Sequence, residues 1–165
     1  MVDRELFRFP NPVNEVSARI VAGAVAIAAW ISLATGSPVL LIPLAYGFVA
    51  RLLTGPTLSP LGQIATRLVT PALPLRPRPV PGPPKRFAQG IGAALSVSAA
   101  LLWFAAGQHT AALALVGMIG VAATLESVFA FCIGCRLFAV LMRVGVIPPT
   151  VCGACSNLTL TRSQG

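Results

Sequence analysis

Four long apolar segments constrain the fold of this 165-residue chain more than any other feature. They cover residues 16–35, 37–53, 87–106 and 110–132. A helix needs about 20 apolar residues to cross a bilayer, and helices pair the backbone amides that lipid cannot satisfy. Hydrophobic residues make up 56% of the chain and charged residues only 10%, whereas soluble domains carry about 25% charged residues. The sequence therefore predicts an all-α integral membrane protein with one domain over residues 1–165.

Two of the connections between these segments are short enough to predict helical hairpins. Residues 35–37 and residues 107–110 leave room only for a turn. Each turn is expected to join antiparallel neighbours, so we predict four transmembrane helices arranged as two hairpins. The second span, residues 37–53, is short for a bilayer and contains Pro43, so a kink or local membrane thinning is expected there.

The long connection between the hairpins predicts a short helix followed by a proline-rich linker. Ser59 and Pro60 resemble a helix start, with serine as N-cap and proline at the first helical position. Apolar residues then recur at helical spacing up to Val69, which predicts an interfacial helix. It could equally fold back onto the bundle. Residues 71–86 contain seven prolines together with four basic residues, so we expect a basic, polyproline-type cytosolic linker that is not helical.

The distribution of basic residues predicts the orientation. All twelve Lys and Arg residues lie in the N-terminal region, the central connection or the C-terminal part, and the two short turns carry none. With four spans these three regions share one side, and the positive-inside rule places that side in the cytosol. We expect a multi-pass protein of the inner (plasma) membrane with both termini cytosolic. The net charge of +8 is explained by orientation in the lipid bilayer, and no nucleic-acid partner is expected.

All four cysteines lie in two Cys-x-x-Cys motifs that form a cysteine segment over residues 132–155. The pairs are Cys132 with Cys135 and Cys152 with Cys155, and sixteen residues separate them. This spacing is that of a four-thiolate site, for which zinc is the candidate metal. A cytosolic location favours this interpretation because thiols there stay reduced and structural disulfides are rare.

The length of the last apolar stretch predicts a break near the first cysteine pair. One helix from Ala111 to Ile147 would be about 55 Å long, whereas the bilayer core is about 30 Å thick. Gly134 is the natural break point. We expect a short cytosolic C-terminal helix over residues 137–146, ending at Pro148, and then a Cys-rich tail that returns the second pair beneath the fourth span.

The second interpretation of the cysteines is thiol chemistry. A helix N-terminus and the neighbouring Arg136 would stabilise a thiolate in the first motif. In this interpretation Cys132 and Cys135 form the proximal dithiol, and Cys152 and Cys155 form a partner pair that exchanges disulfides with it. A third interpretation is that the cysteines only pack or bind metal adventitiously.

Glu126 is an ionisable residue inside the fourth predicted span, six positions before Cys132. Such residues are costly in a membrane and usually mark a pathway or a paired partner. Glu126 could exchange the proton that thiol chemistry requires. The alternative, which we favour, is that it forms an ion pair with Arg136 or Arg143 or caps a neighbouring helix.

Three sequence patterns resemble those of one protein family. They are Leu125-Glu126-x4-Phe131-Cys132-x-x-Cys135-x-x-Phe138, Gly55-Pro56-x-x-Ser59-Pro60-Leu61-Gly62 and the terminal Cys152-x-x-Cys155. The chain resembles the domain-of-unknown-function 4395 family of bacterial, mainly actinobacterial, integral membrane proteins, over nearly its whole length. The resemblance implies no assigned activity. It does imply a soluble partner of thioredoxin-like or sulfurtransferase type, because genes for such proteins often neighbour those of similar members.

The sequence leads to one functional hypothesis and two alternatives. The leading hypothesis is a membrane component of thiol–disulfide or sulfur-relay chemistry, whose site comprises the four cysteines with Glu126 and Arg136 in support. The first alternative is a non-enzymatic membrane scaffold with a structural zinc site. The second is a transporter of a small sulfur compound, with Glu126 and the cysteines along its path. The sequence leaves open whether the protein is an enzyme, and no cofactor beyond the candidate zinc is indicated.

Overall fold

The computed structural model describes residues 9–74, 76–153 and 155, and these residues are mostly helical. In chain order the elements are β1 (Val13–Asn14), α1 (Glu15–Thr35), α2 (Leu41–Thr54), α3 (residues 60–72), β2 (Pro79–Val80), α4 (Gly82–Phe104), α5 (His109–Phe129) and α6 (Ile133–Arg143). Two 3-10 turns, Pro38–Leu40 and Pro149–Cys152, precede α2 and follow α6. Both chain termini, which we predict to be cytosolic, lie outside the described residues.

Three helices in the described part of the chain are long and apolar enough to cross a membrane: α1, α4 and α5, with 21, 23 and 21 residues. The remaining apolar helix, Pro38–Thr54, is shorter. Large apolar side chains on these helices point away from the protein interior; they include Ile27, Val39, Ile42, Leu101, Met118 and Val128. A surface of this kind is stable against lipid tails and not against water. The chain is therefore a membrane protein, as its sequence predicts.

The helices do not all pack in the order in which the chain joins them. Helix α1 packs mainly against α5, and α2 packs mainly against α4, while α4 and α5 also contact each other. Helices α1 and α2, joined by the turn at Gly36, have few contacts with each other. The α1–α5 contact is close because small residues face each other: a Cβ on Gly120 would lie 3.4 Å from the Cβ of Ala29. Small residues at such positions are typical of helix packing in lipid.

Helix α3 begins where the sequence predicts and folds back onto the bundle. The Ser59 hydroxyl accepts a hydrogen bond from the Gly62 amide at 3.2 Å, and Pro60 occupies the first turn. The helix continues through a π-helical stretch, Ile64–Val69. Ala65 is 2% exposed and packs with Val21 of α1 in the protein core. The segment therefore contacts the bundle on one face, while Ile64 and Leu68 on this helix remain exposed.

The proline-rich segment 71–86 is more ordered than the sequence predicts. Its end is not a linker, because α4 already begins at Gly82. Pro83 and Pro84 lie in the first turn of α4, where no intrahelical partner exists for the amide that proline lacks. Just before α4, strand β2 pairs antiparallel with β1. The prediction of a non-helical segment over residues 71–86 was therefore wrong at both ends, because α3 also extends to residue 72.

The break before the first cysteine pair lies earlier than predicted. Helix α5 ends at Phe129, and Ala130 adopts the left-handed conformation with φ of 55°. The guanidinium of Arg19 donates to the carbonyls of Ser127 (2.8 Å) and Val128 (3.2 Å), which satisfies carbonyls that the helix end leaves free. The fourth apolar segment therefore ends before residue 132, and the break does not occur at Gly134.

Gly134 lies inside α6 and has a packing role. A Cβ at this position would lie 2.6 Å from the Cβ of Ala88 and 2.7 Å from its Cα, so only glycine lets α6 approach α4 this closely. An aromatic contact joins the same two helices. The rings of Phe87 and Phe138 lie 5.6 Å apart. The predicted helix over 137–146 is thus shifted to Ile133–Arg143.

We predict that Gly134→Ala destabilises the protein by about 1–3 kcal/mol, because the added methyl group forces α6 away from α4. Thermal unfolding in detergent measures the effect. The matched control is Gly117→Ala, where the new Cβ has only one neighbour, at 3.8 Å. Alanine is the better helix former at both positions, so the control is expected to be neutral or stabilising. Equal effects of the two substitutions would contradict the packing role of Gly134.

Candidate functional site

The first cysteine pair is positioned by the start of helix α6. Cys132 is the N-cap residue, and its sulfur accepts a hydrogen bond from the amide of Cys135 at 3.3 Å. The two residues are joined by a disulfide, with Cα atoms 5.2 Å apart. Both are partly exposed. The new helix that the thiol interpretation requires is therefore present, and the sulfur of Cys132 lies at its positive end.

The second cysteine pair follows the loop after α6. Gly145, with φ of 84°, turns the chain away from the helix, and the segment Pro149–Cys152 forms a 3-10 turn. A disulfide joins Cys152 to Cys155, with Cα atoms 5.3 Å apart. Cys152 is 4% exposed. The helix before this loop ends earlier than the prolines predict, because Gly145 supplies the left-handed residue that terminates helices.

The two pairs border one open cavity of about 590 Å³. Cys132, Cys135 and Cys155 line it, together with Arg136 and Lys85. The predicted return of the tail toward the first pair thus agrees with the described residues. The guanidinium of Arg136 lies over the ring of Phe131, 5.2 Å from its centre. Arg136 therefore gives positive charge to the same cavity as the first disulfide.

The thiolate donors of the predicted zinc site do not converge. Each cysteine pair is closed on itself as a disulfide, and a disulfide sulfur is not the thiolate that zinc requires. Among the residues that the structure describes, no group of three or more His, Cys, Asp and Glu side chains is placed to hold a metal ion. A shared zinc site would need both pairs to be reduced and the tail to move.

Glu126 has a different ion-pair partner from those expected. Its carboxylate pairs with the ammonium of Lys85, across the contact between α4 and α5. The two side chains are only 18% and 11% exposed. The expectation that Glu126 forms a structural ion pair is met, but the predicted partners, Arg136 and Arg143, were wrong. The reason is that α4 begins at Gly82, which carries Lys85 onto a helix facing Glu126.

Arg51 is a buried cation. From the sequence it counted only as one of the basic residues of the central connection. It lies in the last turn of α2 and is 5% exposed. Its guanidinium donates to the side-chain oxygen of Gln89 at 3.0 Å and to the hydroxyl of Ser59 at 3.1 Å. The same group lies 4.8 Å from the centre of the Phe48 ring. Arg51 therefore ties α2 to both α3 and α4.

A second cavity, of about 210 Å³, lies between the helices and connects these features. Its polar end is lined by Arg51, Gln89, Glu126 and Cys132. The rest of its wall is apolar and comes from four helices; it includes Val21, Val25, Phe48, Leu95, Met118 and Ile119. We call this space the central cavity. It places a buried cation, a carboxylate and one cysteine of the first disulfide around a single partly open volume.

Two sequence signals could have revealed the polar end of the central cavity. Arg51 is the only charged residue within the apolar segment 37–53, and charges in such segments usually have a buried partner. Lys85 and Gln89 are four residues apart, so they share one face of a helix. The second signal can be seen only if the helix is taken to begin before Lys85, at Pro83 and Pro84. The high proline content of this segment argued against a helix there.

Comparison with known proteins identifies a family and nothing closer. A family model described as Domain of unknown function (DUF4395) matches residues 13–143, which include Glu126 and the first cysteine pair and end before Cys152. The chain belongs to this family. No curated protein and no solved structure matches it.

Proposed function

We propose that this member of the DUF4395 family is a membrane component of thiol–disulfide or sulfur-relay chemistry, with Cys132 and Cys135 as the reacting pair. The observation that carries the proposal is the position of Cys132 at the N-cap of α6, with its sulfur accepting the amide of Cys135. On reduction, the same amide and the positive end of the helix would stabilise the Cys132 thiolate. Cys132 is then the nucleophile, and Cys135 resolves the mixed disulfide.

Arg136 and the second pair extend this site. Arg136 lines the same cavity as Cys132 and Cys135, where its positive charge supports a thiolate. Cys155 borders that cavity as well. In the relay, a thiolate of one pair attacks the disulfide of the other. One disulfide forms as the other breaks, so two electrons move between the pairs without an outside oxidant.

The proposed topology has four spans, with the apolar helix Pro38–Thr54 as the second. Its 17 residues measure about 25 Å as a helix, and modest thinning of the bilayer accommodates that length. The positive-inside rule then gives cytosolic termini and a cytosolic cysteine site in the plasma membrane.

A soluble thioredoxin-like or sulfurtransferase protein is the proposed partner. The larger cavity is open, and it is lined by the partly exposed first pair and by the exposed side chains of Arg136 and Arg143. A reacting cysteine of a partner must reach the Cys132 sulfur in line with the disulfide, and a partly exposed sulfur in an open cavity permits that approach. The cationic rim favours a partner with an acidic surface around its own cysteine.

The experiment that tests the proposal is a combined count of thiols and zinc in purified full-length protein. We expect no bound zinc, no free thiol before treatment and four free thiols after dithiothreitol, measured by alkylation and mass spectrometry. Removal of dithiothreitol and addition of oxidised glutathione should close both pairs again. One equivalent of zinc with four protected thiols would instead support the structural scaffold and contradict the redox proposal.

A further inference from the structure

We infer that the central cavity binds the ring of a lipid-soluble quinone, which accepts two electrons from the Cys132–Cys135 dithiol. This inference rests on the proposed function, because it names the membrane partner of the same cysteine pair. The cavity, of about 210 Å³, is smaller than the pockets of about 300–1,000 Å³ that hold whole drug-sized ligands. It suits a single ring system whose tail continues into lipid.

The polar end of the cavity matches the carbonyl groups of a quinone. Arg51 and Gln89 both line it, and each has N–H groups that can donate to a carbonyl oxygen. Arg51 is buried and held by Ser59 and Gln89, so its direction is set before a ligand enters. A fixed cation beside a carbonyl oxygen stabilises the negative charge that develops there during reduction.

The apolar end provides a surface for the ring and a route from the bilayer. Phe48 lines the cavity, and Gly92 lets its ring lie close to α4, since a Cβ there would meet that ring at 2.2 Å. Met118 lines the cavity and is also 57% exposed on the lipid-facing surface. The cavity therefore reaches the bilayer side of the bundle at Met118, where a hydrophobic ligand can enter.

Cys132 borders both cavities and so links the two reactions. Electrons enter from a soluble dithiol through the larger cavity and leave through the central cavity. The balanced step takes the two thiols of Cys132 and Cys135 and one quinone, and it forms one disulfide and one hydroquinone. The two S–H bonds break, one S–S bond forms, and both electrons and both protons end on the quinone oxygens.

The buried charges exclude neither an inorganic anion nor a quinone by themselves. Arg51 lines the polar end, and its positive charge would attract a small anion as well as a carbonyl oxygen. The apolar wall that lines most of the cavity distinguishes the two ligands. Apolar side chains do not stabilise a sulfite or phosphate ion, whereas they stabilise a buried ring. The quinone accounts for both ends of the cavity.

The test is a single turnover with full-length protein in nanodiscs under anaerobic conditions. The protein is reduced with dithiothreitol, freed of it and mixed with one equivalent of a short-chain ubiquinone. We expect two thiols to be lost for each quinone whose absorbance disappears. Ala122→Phe, which fills the cavity from α5, should slow the reaction by about tenfold or more because close packing leaves no second volume for the ring. Ala114→Phe, on the exposed side of the same helix, should react at the unsubstituted rate.

The two proposals fail in different ways. If the first pair does not open and close with dithiothreitol, the proposed function fails before quinone is added. If it cycles normally but the ubiquinone stays oxidised, or Ala122→Phe reacts as fast as Ala114→Phe, the quinone inference is overturned. Binding is measured separately on a Cys132→Ser/Cys135→Ser variant by thermal unfolding. Stabilisation by ubiquinone supports the inference, and stabilisation by sulfite or phosphate alone overturns it.

Discussion

Cys135→Ser is expected to trap a covalent mixed disulfide at Cys132, whereas Cys132→Ser is expected to trap none. The asymmetry follows from the helix start, because the Cys132 sulfur accepts the backbone amide of residue 135. Serine at residue 135 keeps that amide and removes only the resolving thiol. The Cys132 thiolate therefore stays stabilised and attacks a disulfide, and residue 135 carries no thiol that could resolve the mixed disulfide.

Mass spectrometry after incubation with excess oxidised glutathione measures the trapped species, because the departing glutathione leaves no second thiol beside the mixed disulfide to reverse the step. The control is Cys152→Ser/Cys155→Ser, which leaves the first pair intact and should accumulate no mixed disulfide there. Equal trapping by Cys135→Ser and Cys132→Ser would show that the helix start does not select the nucleophile. The absence of trapping in either variant, with the fold intact, would argue against exchange at this pair.

Glu126→Gln is expected to lower the stability of the folded protein by about 3 kcal/mol, because removing one partner of a buried ion pair leaves the other charge uncompensated. The pair with Lys85 is little screened by solvent, since the two side chains are 18% and 11% exposed. Arg51 lines the same cavity as Glu126 and would also lose a neighbouring negative charge. Thermal unfolding in detergent measures the loss.

Exchanging the two charges separates the stability contributed by the ion pair from that contributed by each residue alone. The Lys85→Glu/Glu126→Lys double variant should recover part of the stability that either single substitution loses, as a coupled pair requires. Glu15→Gln is the control, because Glu15 is the other acidic residue in the described part of the chain and forms no ion pair there. Additive single and double effects would show that the Lys85–Glu126 contact contributes nothing as a pair.

Individual residues show why parts of this site could not be predicted from the sequence. The Ser59 N-cap was predictable because a capping hydroxyl followed by proline acts within one turn of the chain. A break near the first cysteine pair was predicted from length alone and assigned to Gly134, but its actual position depends on Arg19 reaching Ser127 from another helix. Lys85 was assigned to a linker because local proline content outweighed the helix that tertiary packing extends through it.

The roles of Arg51 and Gly134 also depended on distant neighbours. Arg51 counted as a basic residue next to a span, whereas its buried position follows from contacts with Ser59 and Gln89 on two other helices. Gly134 drew attention as a helix breaker, whereas its function is to let α6 contact Ala88. The sequence around a glycine does not show which other helix packs against it.

The sequence by itself determined the membrane environment, the helical class and the presence of two Cys-x-x-Cys motifs. These properties follow from hydrophobicity, backbone hydrogen bonding in lipid and spacing along a few residues, all of which are local. Only the tertiary structure decided which helices are neighbours, which cation pairs with Glu126, and that Cys132 borders two cavities. Those features join residues far apart in the chain, and they depend on how small side chains let particular helices approach.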